Sequence, residues 1–219
     1  MAKIISLKTR EQKRAEEIVA RLKKLFPRAT IALNYHNNWE LLVAVILSAQ
    51  CTDKKVNEVT EKLFKKYRTL DDYVHASLRE FERDIYSTGF YHTKAKNILA
   101  TAKILKTKYN GTVPRTMEEI LTLPGVARKT ANIVLGRAYG VTEGIAVDTH
   151  VKRLSGLLGL TTSKNPIIIE RDLIKLIPRK DWSKISYLLI EYGREYCKAL
   201  PHKHENCPLR DFYNLSEHK

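Results

Sequence analysis

The residues best suited to covalent chemistry lie in two neighbouring stretches, TMEEILTLPGVARKTANIVLGRAYG from position 116 and IAVDTHVKRLSGLLGL from position 145. In the first, a capped helix is expected to run to Leu123, Pro124-Gly125 turns the chain, and a second helix begins near Ala127. Ile133, Val134, Leu135 and Ala138 form its inner side. Two helices joined so tightly leave free backbone amides at the turn and at the start of the second helix. The helix dipole is also positive there, so that end can hold a phosphate. Lys129 falls in the first turn of the second helix, beside Arg128. A cation there works against the dipole, and a neutral amine is a nucleophile. In the second stretch Asp148 is placed as the N-cap of a helix carrying Val151, Leu154 and Leu158, with His150, Lys152 and Arg153 close behind it. An amine and a carboxylate supply a nucleophile and a stabiliser of positive charge. A solvated lysine and a merely capping aspartate are the plain structural readings of the same two residues.

A third stretch, CKALPHKHENCPLRDFY from position 197, places Cys197, His202, His204 and Cys207 within eleven positions. C-x4-H-x-H-x2-C has the residue types of a tetrahedral zinc site. The competing reading is a basic, metal-free loop bearing Lys198 and Lys203, anchored by apolar burial of Leu209, Phe212, Tyr213 and Leu215, and it is the simpler one.

The elements that must position these residues read as helices throughout. Thr9-Arg10-Glu11-Gln12 has the form of a capping box and precedes Ala15, Ile18, Val19 and Leu22 at helical spacing. Ser77-Leu78-Arg79-Glu80 and Thr116-Met117-Glu118-Glu119 repeat the box, and Asn165-Pro166 gives a cap followed by proline at the first helical position. Ala95, Ile98, Leu99, Ala102 and Leu105 form one apolar stripe; Ile185, Leu188, Leu189, Tyr192 and Tyr196 form another. No convincing alternating strand appears, so the expected fold is all-α, with about ten helices.

Composition narrows the partner. Lys and Arg number 39 against 24 Asp and Glu, a formal net charge of +15, which predicts attraction to a polyanion such as DNA or RNA. Three cysteines, odd in number, and a charged start without an apolar leader favour a reducing, cytoplasmic and nucleoid-associated setting. The apolar run Leu41 to Leu47 is far shorter than the roughly 20 residues of a membrane-spanning helix and reads as buried core.

LPGVARKTANIVL followed by AVDTH resembles the helix-hairpin-helix and catalytic aspartate of the endonuclease III family of DNA glycosylases. The likeness extends through ELLVAVILSAQCTD and TGFYHTKAKNI and covers roughly residues 9 to 213. The resemblance implies two helical lobes with a DNA-binding cleft between them. A six-helix barrel carrying the hairpin would span residues 31–142, and residues 1–30 with 143–219 would form the second lobe. It implies Lys129 as nucleophile and Asp148 as catalytic carboxylate. Gln50 and Phe90 match the two positions that fill the gap left when a nucleotide is turned out of the duplex. Phe90 departs from the leucine usual there, though a wedge needs only an apolar body.

Leu123, Gly125, Val126, Ala127 and Arg128 in the hairpin, with His150, are the further DNA-binding positions. Ala127 replaces the second glycine of the usual L-P-G-V-G, which is harmless if that position already begins the helix. The implied activity is a glycosylase and abasic-site lyase acting, as a monomer, on double-stranded DNA that contains oxidised pyrimidines or abasic sites. The alternatives are an abasic-site lyase with weak or shifted base excision and a non-catalytic DNA-binding protein.

The family also carries a [4Fe–4S] cluster on C-x6-C-x2-C-x5-C. In that register Cys197 and Cys207 remain, while His204 and Tyr213 occupy the second and fourth positions. Four thiolates are the normal requirement, so the expectation is that no cluster is present and that the protein needs no cofactor.

Overall fold

The computed structural model describes residues 9–213, and among them all regular structure is helical. Leu215 lies outside the described residues. The chain divides into two compact units, Ala32–Glu143 and a discontinuous one of Met1–Ile31 with Gly144–Lys219.

The continuous unit holds α2 (Asn38–Leu47), α3 (Asp53–Lys66), α4 (Leu70–His75), α5 (Leu78–Ile85), α6 (Tyr91–Lys108), the single turn α7 (Met117–Ile120) and α8 (Arg128–Tyr139). Because α2 is apolar on every side, it must be enclosed. It is buried from Trp39 to Leu47, with α3, α6 and α8 packed around it. Glu40, the acidic residue of that helix, is buried too, and it accepts from the amide and ring of His36 at 2.7 and 2.9 Å. At one side Trp39, Tyr67, Tyr73 and Phe81 meet edge to face or tilted, with centroids 5.1–5.8 Å apart, the arrangement that ring quadrupoles favour. The α6 stripe of Ala95, Ile98, Leu99, Ala102 and Leu105 is buried as its spacing requires.

The discontinuous unit joins α1 (Arg10–Leu25) to α9 (Thr149–Leu157), α10 (Pro166–Leu176) and α11 (Trp182–Glu195). One apolar cluster unites Ile18 and Leu22 of α1, Leu154 of α9, Leu173 of α10, Leu188 and Tyr192 of α11, and Leu209 and Phe212 beyond it. Arg14 and Arg21 of α1 hold the last described residues. Arg14 donates to the carbonyls of Leu158 and Phe212, and the Arg21 guanidinium lies 4.6 Å from the centroid of the Phe212 ring while pairing with Asp211.

The helix starts test the capping expectations one by one. Thr9 and Gln12 form the reciprocal box. Asn165 accepts from the Ile167 amide at 2.9 Å ahead of Pro166. Thr116 accepts from the Glu119 amide, but the Glu119 carboxylate bonds the Thr116 hydroxyl instead of the cap amide, so that box is half formed. Ser77 makes no side-chain cap bond, and that expectation is corrected: α5 begins without one. The second complete box, Thr69 with Asp72, was not evident because aspartate replaces the Glu or Gln of the usual pattern.

Candidate functional site

The hairpin is built on α6. The helix expected to reach Leu123 ends at Ile120, and Leu121 to Ala127 form the connection. Leu123 and Val126 are buried and closed by a Val126 amide to Leu123 carbonyl bond of 3.2 Å. Any DNA contact by these two therefore falls to main-chain atoms, since their side chains are core. Thr101 of α6 donates to the Pro124 carbonyl at 3.2 Å. Gly125 has φ +77°, and a Cβ there would stand 2.8 Å from Asn97 Nδ2, so both backbone and space require glycine. Ala127 has φ −92° and ψ 169° and is the N-cap of α8. No left-handed conformation is needed there, and alanine fits. It also offers no capping side chain, and no side-chain cap bond is made at the start of α8, where the helix dipole is positive. Arg128 and Lys129 follow, both exposed.

Two other loops of the same unit hold the gap-filling candidates. Gln50, just past α2, has φ +53°, and Phe90, the N-cap of α6, has φ +50°. A left-handed backbone is costly for a residue with a Cβ, by about 1 kcal/mol or more, and it turns both side chains outward. Gln50 is exposed and Phe90 is 65% exposed. An apolar ring of that size presented to solvent is a feature that packing does not explain.

Sequence reasoning missed the residue that ties these loops together. Lys94 of α6 is only 5% exposed, and its Nζ donates to the Leu47 carbonyl at the end of α2 and to the Thr88 carbonyl before Gly89-Phe90, each at 2.8 Å. Burial holds its pKa below the ordinary lysine value. The available signal was its spacing: Lys94 stands four residues before Ile98, on the buried stripe of α6.

In the discontinuous unit Asp148 caps α9, its Oδ1 accepting from the Val151 amide at 2.8 Å. The side chain is partly exposed. His150 is half-buried and lies against α11, where a Cβ on Gly193 would approach its Nδ1 to 2.6 Å. It packs between helices and does not stand on open surface as a first-turn histidine would. The same glycine admits Arg153, which donates to the Cys197 carbonyl at 2.6 Å and toward its Sγ at 3.5 Å.

Cys197, His202, His204 and Cys207 converge: one donor atom from each lies within 4.8 Å of the others. The Cys207 Sγ stands 3.6 Å from His202 Nε2 and 3.6 Å from His204 Nδ1. Burial pushes the Cys207 thiol up. Tyr213, in the fourth position of the cluster register, borders the same group: its side chain hydrogen-bonds Cys207 and Cys197, its hydroxyl meets that of Tyr192 at 2.6 Å, and burial pushes its pKa far up. A [4Fe–4S] core does not fit these residues. Two thiolates are missing, and donors gathered within 4.8 Å of one another leave no room between them for an eight-atom cubane.

Residues 43–179 match the HhH-GPD superfamily of base excision DNA repair proteins. Among curated proteins, the chain is 50% identical to endonuclease III of Synechocystis sp. over 199 residues, covering 91% of each. It is 45% identical to endonuclease III of Bacillus subtilis over 198 residues, 90% of each. Among solved structures, a trapped endonuclease III–DNA covalent intermediate, the estranged-adenine complex, superposes with a TM-score of 0.89 at 43% identity, over 97% of this chain and 99% of that one.

Proposed function

Because this chain belongs to the endonuclease III family, base excision repair DNA glycosylases with abasic-site lyase activity, we propose that Lys129 and Asp148 are its catalytic pair and that it acts on oxidised pyrimidines. The Lys129 amine attacks C1′ of the damaged nucleotide: the N–C1′ bond forms, the glycosidic bond breaks and the base departs with a proton. The C1′–O4′ bond then breaks, the remaining amine proton passing to O4′, to give a Schiff base. Removal of a C2′ proton then expels the 3′ phosphate by β-elimination. The Asp148 carboxylate stabilises the positive charge that builds on the sugar.

The observation that carries this reading is the exposed Lys129 in the first turn of a helix whose N-cap supplies no side chain. A phosphate drawn to that positive helix end would hold the DNA backbone while the amine reaches the sugar. The relative trapped as a covalent DNA intermediate supports a route through a protein nucleophile, and Lys129 supplies one here. Gln50 and Phe90 enter the gap left by the extruded nucleotide, with Gly125, Ala127 and Arg128 at the phosphates. The substrate is double-stranded DNA bearing oxidised pyrimidines or abasic sites, bound by a monomer at the nucleoid in the cytoplasm. No [4Fe–4S] cluster takes part, given the residues at 204 and 213.

Borohydride reduction in the presence of an abasic duplex tests the assignment. Wild type should give a covalent protein–DNA adduct and Lys129→Ala none. An adduct that persists in the variant would remove Lys129 from the role.

A further inference from the structure

We propose that Cys197, His202, His204 and Cys207 bind one zinc ion as a structural site. With Zn–S near 2.3 Å and Zn–N near 2.0–2.1 Å, a tetrahedron has sulfur–nitrogen edges of about 3.5–3.6 Å. Both measured edges from Cys207 are 3.6 Å. All four donors lie within 4.8 Å of one another, which suits a mononuclear ion and excludes nothing in the coordination sphere of zinc.

The surroundings are those of a ligand set. His202 Nδ1 lies 2.9 Å from the Leu200 carbonyl. That bond places the proton on Nδ1 and leaves the Nε2 lone pair directed at the site, the outer-shell arrangement that orients metal-binding histidines. Arg153 donates toward the Cys197 sulfur at 3.5 Å and to the Cys197 carbonyl at 2.6 Å, which fixes that side chain beside the other three donors. Two thiolates balance the charge of the ion, so the two buried sulfurs carry no uncompensated charge into the interior.

Apolar packing does not account for the loop. Both cysteines are buried, yet none of the residues 198–206 between them is, and Leu200 is 77% exposed. Leu209 and Phe212 are buried, but they anchor the chain after Cys207; the histidines meet through ring edges, His202 on His204 with centroids 4.5 Å apart and His204 on Tyr213 at 5.1 Å. Ring contacts bring the two imidazoles together in a metal-free loop but do not require one donor atom from each of four residues to gather at a common point; a coordinated ion does, because ligation energy is folding energy.

The full-length chain, purified without chelator, should carry one equivalent of zinc by elemental analysis. Replacement by cobalt(II) should give the intense visible bands and thiolate charge-transfer absorption of a tetrahedral S2N2 site. His202→Ala with His204→Ala should lose at least tenfold in zinc affinity while keeping the helical circular dichroism, and removal of zinc by chelator from wild type should lower the thermal midpoint reversibly. Iron and sulfide in cluster proportion, a chain that neither carries nor takes up zinc, or full zinc retention in the double variant would each overturn the assignment.

Discussion

The two units present their candidate residues in opposite ways. In Ala32–Glu143 the candidates are turned outward by backbone: Gln50 and Phe90 by left-handed conformations, Lys129 by its place after an uncapped helix start. In the discontinuous unit each candidate already holds a structural bond. Asp148 caps α9, His202 bonds the Leu200 carbonyl, and Cys197 accepts from Arg153. The first unit separates display from support, giving support to Lys94. The second asks one side chain to do both, so a crude substitution there confuses loss of function with loss of fold.

The largest expected effect exploits that overlap. Asparagine caps a helix about as well as aspartate, so Asp148→Asn should keep α9 and leave unfolding free energy within about 0.5 kcal/mol. Removing the charge should lower excision and abasic cleavage by roughly 100-fold or more. Single-lesion duplexes assayed beside a urea titration separate the two; substantial retained excision would make Asp148 a cap alone. Next is the support residue. Lys94→Met keeps the bulk but strands two buried carbonyls, each costing about 1–3 kcal/mol. The urea midpoint should fall by an amount equivalent to about 2 kcal/mol or more, and an unchanged midpoint would show that Lys94 supports nothing. Smallest is a pure display change. For Phe90→Gly, relief of the left-handed strain offsets the freedom gained by the unfolded chain, so stability should hold within about 1 kcal/mol. Affinity for a damaged duplex should fall several-fold while affinity for undamaged DNA does not; equal losses on both would reduce Phe90 to a general contact.

How much was legible in advance differs along the same line. Apolar period gave the helices because burial follows it: the stripes on α6 and α11 and the enclosed α2 are where their spacing puts them. Alanine at 127 was readable as a helix start, which its φ of −92° supports. Where the outcome depended on contacts distant in sequence, the pattern was silent. Nothing local announces that Lys94 bonds a carbonyl 47 positions away, or that Gly193 makes room for His150 and Arg153. The hairpin's first helix stopped three residues early because Leu121 to Leu123 close by turn bonds, a choice that apolar spacing alone does not reveal. The donor set at 197–207 was visible by residue type, but convergence is a matter of loop path, and no periodicity encodes it.

One nitrogen holds both the Leu47 and the Thr88 carbonyl, at a position water hardly reaches. Swinging either loop away would leave that amine short of an acceptor with no solvent to replace it. The loops of Gln50 and Phe90 are therefore a single mechanical part with two tips, set at a constant gauge. A protein that must test one base pair after another gains from such a part, since a tool whose two prongs moved separately would measure a different gap each time.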